Sequence, residues 1–516
     1  MFRSIPYHGP LILQIARARK LPSGFRNYSL KRLKLKKVTR AHKELFESDK
    51  AAKLFQPEES RQSRNRRGIM SAKNVRIVRN RTVMTTTAHT LPNGMLVLLH
   101  EQHAAPVATS WVWYRVGSRN ESSGITGISH WVEHMLFKGT PSMPKGELDR
   151  VIARNGGTFN GFTWIDYTAY FETLPADRIE LGLQIESDRM VNALFEEQEV
   201  ESERTVILSE LDGYANYPET WLSEAVTAAA FTVHPYHHPV IGYKSDLLAI
   251  TRDELYTYYQ TYYMPNNAVL VLAGDFDSDK MLKKIEHYFG NLPVGLPLPQ
   301  FRAVEPEPQG ERRVVIRRPG PAEYVQIAYL APDSRSPDFA PLFVLDAVLS
   351  GAKSLGMFGG SQTNRSARIY KAMVESQLAS SASSSYGPTR DPFLFSFDAT
   401  VHHGHTAAEV EEGFLKVIET VQEEGISQAE LNKVIKQVRA QVAYSGESVT
   451  NQAMQLGMWE VLDSYKRHES LLDEFQNVTI DDVQRVARTY LSENRRTVGY
   501  FIPTSREAFA DFDDEA

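Results

Sequence analysis

The chain has 516 residues, is 42% hydrophobic and 23% charged, and carries a formal net charge of −5 with no cysteine. That length exceeds what one hydrophobic core serves, so more than one domain is expected. Disulfides, thiolate nucleophiles and Cys-ligated metals are excluded, leaving His and carboxylate as metal ligands. No apolar run of about 18 residues is present, so no transmembrane helix is predicted.

Residues 1–80 hold 21 Lys and Arg against 5 Asp and Glu, and the remainder holds 37 against 58. A basic head therefore precedes an acidic body. Acidic residues Glu44, Glu47, Asp49, Glu58 and Glu59 interrupt the pattern of a transit peptide. Residues 1–85 are accordingly expected to be a largely disordered basic extension, with a start near Met70 or Met84 as a variant of that reading. A targeting peptide or an anionic-surface arm is the alternative, and sparse aromatic interleaving argues against a nucleic-acid module. The expected location is cytoplasmic, or the mitochondrial matrix or periplasm if the head is a targeting segment.

Folded sequence is expected from about Ala88. His89–Leu99 reads as strand, Asn93-Gly94 turn and strand, and Val107–Val116 as a buried strand. Helices are predicted around 127–137 and 145–155, followed by a Gly-rich turn and a strand at Tyr167–Thr173. Helical patterns occupy 177–191, 196–213 and 251–263, and Val269–Ala273 is a short apolar strand. Prolines 293, 297, 299, 306 and 308 mark a linker. The order of elements then restarts, with strands at Val314–Ile316, Val325–Leu330 and Val498–Ile502. Thr251-Arg252-Asp253-Glu254 runs to Tyr262 as Thr479-Ile480-Asp481-Asp482 runs to Tyr490, at an offset of 228 residues. This suggests an internal repeat. The predicted class is α+β, with two similar domains of about 200 residues, each a mixed β-sheet with helices packed on it. The expected boundaries are 86–292, a Pro-rich linker at 293–312, a second homologous domain at 313–505, and an acidic tail at 506–516.

The sharpest chemical signal is His130-Trp131-Val132-Glu133-His134. On a helix, positions i, i+3 and i+4 share a face, so both imidazoles can reach one ion while the carboxylate points into the same space. Catalytic zinc needs three protein ligands and an open position for water, and a nearby carboxylate can take that water's proton. The alternative is two helix-surface histidines beside a solvated Glu. Candidates for a third ligand lie on the helix with Glu199, Glu201, Glu203 and Glu210. Glu203 and Glu210 are two turns apart, and Val206 and Ile207 between them suggest a buried side, where a carboxylate wants a cation.

The stretch His130–Thr140, HWVEHMLFKGT, resembles the signature of the pitrilysin/insulysin family of inverted zincins, which includes the mitochondrial processing peptidases and their bacterial relatives. Gly156–Gly161 with Asp166 and Tyr170, Pro235–Gly242, Pro265–Asp275 and Ser366–Tyr370 agree with it, and the resemblance spans roughly residues 86–505. It implies that Zn2+ is held by His130, His134 and Glu210, the last lying 76 residues past the second His. It implies Glu133 as the base, Glu203 as support for the site, and Asn160 and Gly161 in contact with the substrate backbone. It implies that the two domains form half of a clamshell enclosing a chamber, with peptides added as a strand to a sheet edge. The function it implies is a zinc-dependent endopeptidase for peptides or unfolded segments; a non-catalytic scaffold subunit is the alternative.

One departure matters. The opposite clamshell half of the family supplies an Arg and a Tyr seven residues apart. Here Val374 and Ser380 stand near those places. A second two-domain subunit supplying the pair is therefore expected, a heterodimer before a homodimer. His402, His403 and His405 read as a polar loop rather than a second metal site, and His234, His237 and His238 as a structured loop rather than a lining of the zinc approach. The Gly-rich segment with Gly351, Lys353, Gly356, Gly359 and Gly360 lacks a phosphate-loop pattern, leaving a recognition loop or a plain flexible one.

Overall fold

The computed structural model describes residues 86–353 and 364–504. The basic head, the glycines at 356, 359 and 360, and the acidic tail lie outside the described residues. The first sheet contains β1 (Thr87–Thr90), β2 (Leu96–Glu101), β3 (Val107–Tyr114), β4 (Thr158–Thr163), β5 (Thr168–Pro175) and β6 (Ala268–Gly274). Their order is β1-β2-β6-β3-β5-β4, with β2 and β6 parallel and β3 antiparallel to both β6 and β5. The Asn93-Gly94 turn closes the first hairpin as expected, with Gly94 at φ +87°. Both faces of the central strands are buried, which is why they read as unbroken apolar runs. Val97, Val112, Tyr114 and Leu270 enter one core, and Leu98, Trp111, Trp113 and Val271 the other.

Helices α1 (Ile128–Met135), α2 (Glu147–Arg154), α3 (Glu180–Asn192), α4 (Glu197–Tyr214), α5 (Pro218–Ala230), α6 (Lys244–Ala249), α7 (Arg252–Tyr262) and α8 (Ser278–Phe289) accompany this sheet in sequence. The second sheet contains β7 (Arg312–Pro319), β8 (Tyr324–Ala331), β9 (Ala379–Ser385), β10 (Phe393–Val401) and β11 (Arg496–Thr504), in the order β7-β11-β8-β10-β9. Its helices are α9 (Phe339–Ser350), α10 (Ala407–Glu424), α11 (Gln428–Ser445), α12 (Val449–Leu462), α13 (Arg467–Gln476) and α14 (Ile480–Tyr490). A π-helical turn, Tyr370–Glu375, precedes β9.

The repeat read from two short stretches extends to the strand order. β6 is parallel to β2 and antiparallel to β3, as β11 is to β7 and β8. Thr251 and Thr479 each cap their helix through a reciprocal capping box, with Glu254 and Asp482 respectively. The two sheet-plus-helix halves also exchange a helix. α12 lies on β3 and β6, and α5 lies on β7, β8 and β11. Glycine permits both approaches: a Cβ on Gly457 would stand 2.1 Å from the Trp113 ring nitrogen, and one on Gly499 would stand 2.3 Å from Val226.

Between α8 and β7 the chain has no regular element, as the prolines require, yet it is fastened. Phe301 lies 3.5 Å beneath the Arg119 guanidinium, and Glu305 accepts hydrogen bonds from the backbone of Thr232, Val233 and His234. Among the described residues no helix is long and apolar enough to cross a membrane.

Candidate functional site

The short helix α1 carries His130, Glu133 and His134, and all eight of its residues are buried. Its entry is a tight backbone crossing. Gly127 has φ +88°, and a Cβ there would stand 2.3 Å from the Ile241 carbonyl oxygen. No side chain within the helix caps it. Glu121 reaches over from the preceding loop instead, its carboxylate accepting from Gly127 N at 2.8 Å and Ser129 N at 2.9 Å. An acceptor here satisfies N–H groups that the first turn of a helix leaves unpaired. Burial raises the Glu121 carboxyl to about 8.

The two imidazole Nε2 atoms are 3.2 Å apart, and Glu210 Oε2 lies 3.9 Å from that of His130 and 3.7 Å from that of His134. A circle through these three atoms has a radius of about 2.1 Å, the length of a zinc–nitrogen or zinc–oxygen bond. The donor set, two imidazoles and one carboxylate, is one that leaves a zinc coordination position open. Burial holds the His130 imidazole well below its ordinary pKa, in the neutral form a metal ligand requires. Among the described residues this is the one group of His, Asp and Glu side chains whose donor atoms converge in this way.

Two of the three donor side chains, His134 and Glu210, have a partner behind them, whereas the buried His130 Nδ1 has none. His134 Nδ1 is 2.8 Å from Glu203 Oε1, which fixes the ring and leaves Nε2 directed at the other donors. The other oxygen of Glu203 pairs with Lys138. Tyr214 donates from its hydroxyl to Glu210 Oε1 at 2.8 Å, leaving Oε2 turned toward the imidazoles. Glu203, Ile207, Glu210 and Tyr214 recur along one stripe of α4. The expected burial of that side is half right, since Ile207 is buried but Val206 is 47% exposed. Glu199 pairs with Lys145 and Glu201 with Arg204, so neither joins the cluster.

Glu133 sits between the two imidazoles in sequence and on their face of the helix. Its Oε2 accepts from Thr163 Oγ1 at 2.8 Å, and its buried Oε1 has no hydrogen-bond partner. Burial pushes this carboxyl up to about 7. Thr163 ends β4, the edge strand that also carries Asn160 and Gly161. Trp164 N bonds Tyr167 O across the β4–β5 turn. Alternation along an antiparallel ladder then leaves the N–H and C=O of Phe159, Gly161 and Thr163 facing away from β5. Glu121, Thr163 and Tyr214 escaped the sequence reading because each acts through a tertiary contact without a local spacing signature.

The histidines set aside stay outside the cluster. His405 faces Glu409 at 3.6 Å on the surface. His234 Nε2 lies 3.1 Å from Asp391, His237 Nδ1 is 2.9 Å from a backbone carbonyl, and His238 is buried beside Glu121. Lys353, at the start of the Gly-rich segment, pairs with buried Asp346. Val374 packs against the second half's core, and Ser380 donates to Thr400 O at 3.2 Å, so neither offers a cation or a phenol.

Family models and known proteins match most of the chain. The family model described as Insulinase (Peptidase family M16) matches residues 96–244, and that described as Peptidase M16 inactive domain matches residues 249–438. The chain is 28% identical to a protein named zinc protease PqqE from Helicobacter pylori, over 80% of this chain and 92% of that one. It is 29% identical to the mitochondrial-processing peptidase subunit beta of Lentinula edodes, over 79% of this chain and 87% of that one. A crystal structure of a protease from Helicobacter pylori superposes with a TM-score of 0.77 at 26% identity, covering 81% of this chain and 99% of the other.

Proposed function

The chain belongs to peptidase family M16, and from that premise we propose that it is a zinc-dependent endopeptidase acting on extended peptides or unfolded segments. The observation that carries this reading is the triangle of His130, His134 and Glu210 donor atoms, sized for one zinc, with the unpartnered Glu133 Oε1 on the same helix face.

His130, His134 and Glu210 would hold the zinc, which would supply Lewis acidity toward a water and a scissile carbonyl. Glu133 takes the proton of the attacking water and passes it to the leaving amine. Its position suits proton transfer, because Thr163 holds one carboxylate oxygen and the other is free. Glu203 fixes the His134 ring, and Tyr214 fixes the rotation of the Glu210 carboxylate. The outward N–H and C=O of Gly161, with Asn160 beside it, offer a substrate a strand to pair with. Gly161 has no side chain because one would strike the rings of Tyr170 and Phe137. The two-domain chain is half of a clamshell, with a second two-domain subunit supplying the Arg and Tyr that Val374 and Ser380 do not. Residues 86–292 act as the zinc domain and 313–505 as its non-ligating homologue.

A scaffold subunit would have no need of an intact set of His130, Glu133, His134 and Glu210. The experiment is Glu133→Gln. The variant is expected to retain one zinc per chain by metal analysis and to lose about 10²–10⁴-fold in turnover of an unfolded peptide. Undiminished turnover refutes the assignment of the base.

A further inference from the structure

Arg204 follows Glu203 on α4, and the zinc chemistry above does not use it. Its guanidinium carbon lies 4.6 Å from the centre of the Trp131 ring, on α1 between the two metal-site residues His130 and Glu133. One terminal nitrogen donates to Ile250 O at 2.9 Å and the other to Leu247 O, the carbonyls at the C-terminal end of α6. Glu201 on the same helix holds the fork through Nε at 3.1 Å and Nη2 at 2.8 Å. The side chain is 14% exposed. A guanidinium can do all this at once because it is planar, stacks on an indole face and presents its donors in a rigid fork; an ammonium cannot.

The carbonyls it grips belong to a segment already locked to the entry of α1. Asp246 of α6 accepts from Gly124 N, Thr126 N and Thr126 Oγ1, and Gly242 lies against the Thr126 carbonyl. One side chain of α4 thus joins the helix bearing Glu203 and Glu210 both to the face of α1 and to the element that fixes the start of α1. The site's geometry depends on the spacing of these two helices, since Glu210 meets the imidazoles only across it.

We propose that Arg204 is a positioning residue that sets the distance between α4 and α1 and so determines metal affinity without touching the metal. This rests on the zinc reading above. The test is competition of the purified full chain against a fluorescent chelator for zinc alone, in wild type, Arg204→Ala and Arg204→Lys, beside thermal unfolding of the metal-free proteins. Arg204→Ala is expected to bind zinc on the order of 10-fold more weakly or worse, the scale of groups that orient ligands from behind. Arg204→Lys, which keeps the charge but not the planar fork, is expected to fall between the two. Wild-type zinc affinity in Arg204→Ala overturns the proposal even if its melting temperature drops, because the role would then be support of the fold alone. If the Ala variant does not fold, wild-type affinity in Arg204→Lys overturns it. Absence of zinc binding by the wild-type chain refutes the functional reading instead, so the two failures are distinguishable.

Discussion

Asp391 shows how a single carboxylate can tie the two halves together. It lies in the turn between β9 and β10 of the second sheet, yet its Oδ2 takes hydrogen bonds from Arg119 and His234 of the first half. Arg335 stands 3.8 Å from its other oxygen, and buried Asp166, which also faces Arg119, is the nearby like charge. Burial alone would raise the Asp391 carboxyl, but the bonds from His234 and Arg119 outweigh it and bring it down to about 2. A carboxylate depressed on folding stabilises above its unfolded pKa, and that contribution disappears as pH falls through the folded value. Asp391→Asn is therefore expected to cost about 2 kcal/mol near neutral pH, the scale of a hydrogen bond to a charged group. Denaturant unfolding of the metal-free protein should show this deficit constant above pH 3.8 and closing as pH falls toward about 2. A deficit that persists unchanged to pH 2 would contradict the charge argument. None of this was legible in the sequence. The approach of the two imidazoles to each other was, because His130, Glu133 and His134 lie within one helical turn and periodicity alone brings them to one face. Glu210 stood out only as one of two acids on a stripe, and the family resemblance chose between them. Partners such as Asp391 and Arg119 are joined by folding, and neither has a neighbour in sequence that announces the other.

At the scale of elements, the buried strands and helix α1 were readable because buried strands are continuously apolar and the spacing of His130, Glu133 and His134 is helical. Two things were not. β4 contains Asn160, Gly161 and two threonines, a weak strand signal that pairing with β5 overrides. The exchange of α5 and α12 was hidden because an apolar helix face does not say which sheet it covers. Gly457 offers a test of that exchange. Glycine inside a helix is ordinarily a defect, and replacing it with alanine should gain about 1 kcal/mol. Here the added Cβ would stand 2.1 Å from a Trp113 ring that is stacked on Trp111 at 5.5 Å and edged by Phe162 and Tyr167. Such a ring cannot step aside, and overpacking of a rigid core costs about 1–3 kcal/mol. The clash of a Cβ at 2.1 Å from a hemmed-in ring wins, so Gly457→Ala is expected to destabilise by up to about 2 kcal/mol in denaturant unfolding, the reverse of the helix-propensity sign. A stabilised variant would mean that α12 does not sit on the first sheet this closely.

For the whole molecule, two halves with one strand order carry one metal-capable cluster among the described residues, and it lies entirely in the first. The second half repeats the edge strand, β9 standing where β4 stands, but Val374 packs against its core and Ser380 bonds its own sheet. Hydrolysis of a peptide needs a donor aimed at the carbonyl oxygen as charge develops there, and removing one such donor typically costs on the order of 10²–10³ in rate. A chain lacking the Arg and Tyr should therefore hold zinc well and turn over poorly by itself. The expected result is one zinc per chain by metal analysis, with peptide turnover rising about 10²-fold when a two-domain relative bearing the Arg–Tyr pair is added and native mass measurement detects the mixed dimer. The relative's Arg→Ala variant should still form that dimer but give no rise, which separates a donated side chain from mere stabilisation by assembly. A homodimer of this chain that alone reaches the rate of the mixed complex would show that the missing donors are replaced from within, and the case for a different partner would fall while the zinc site stood.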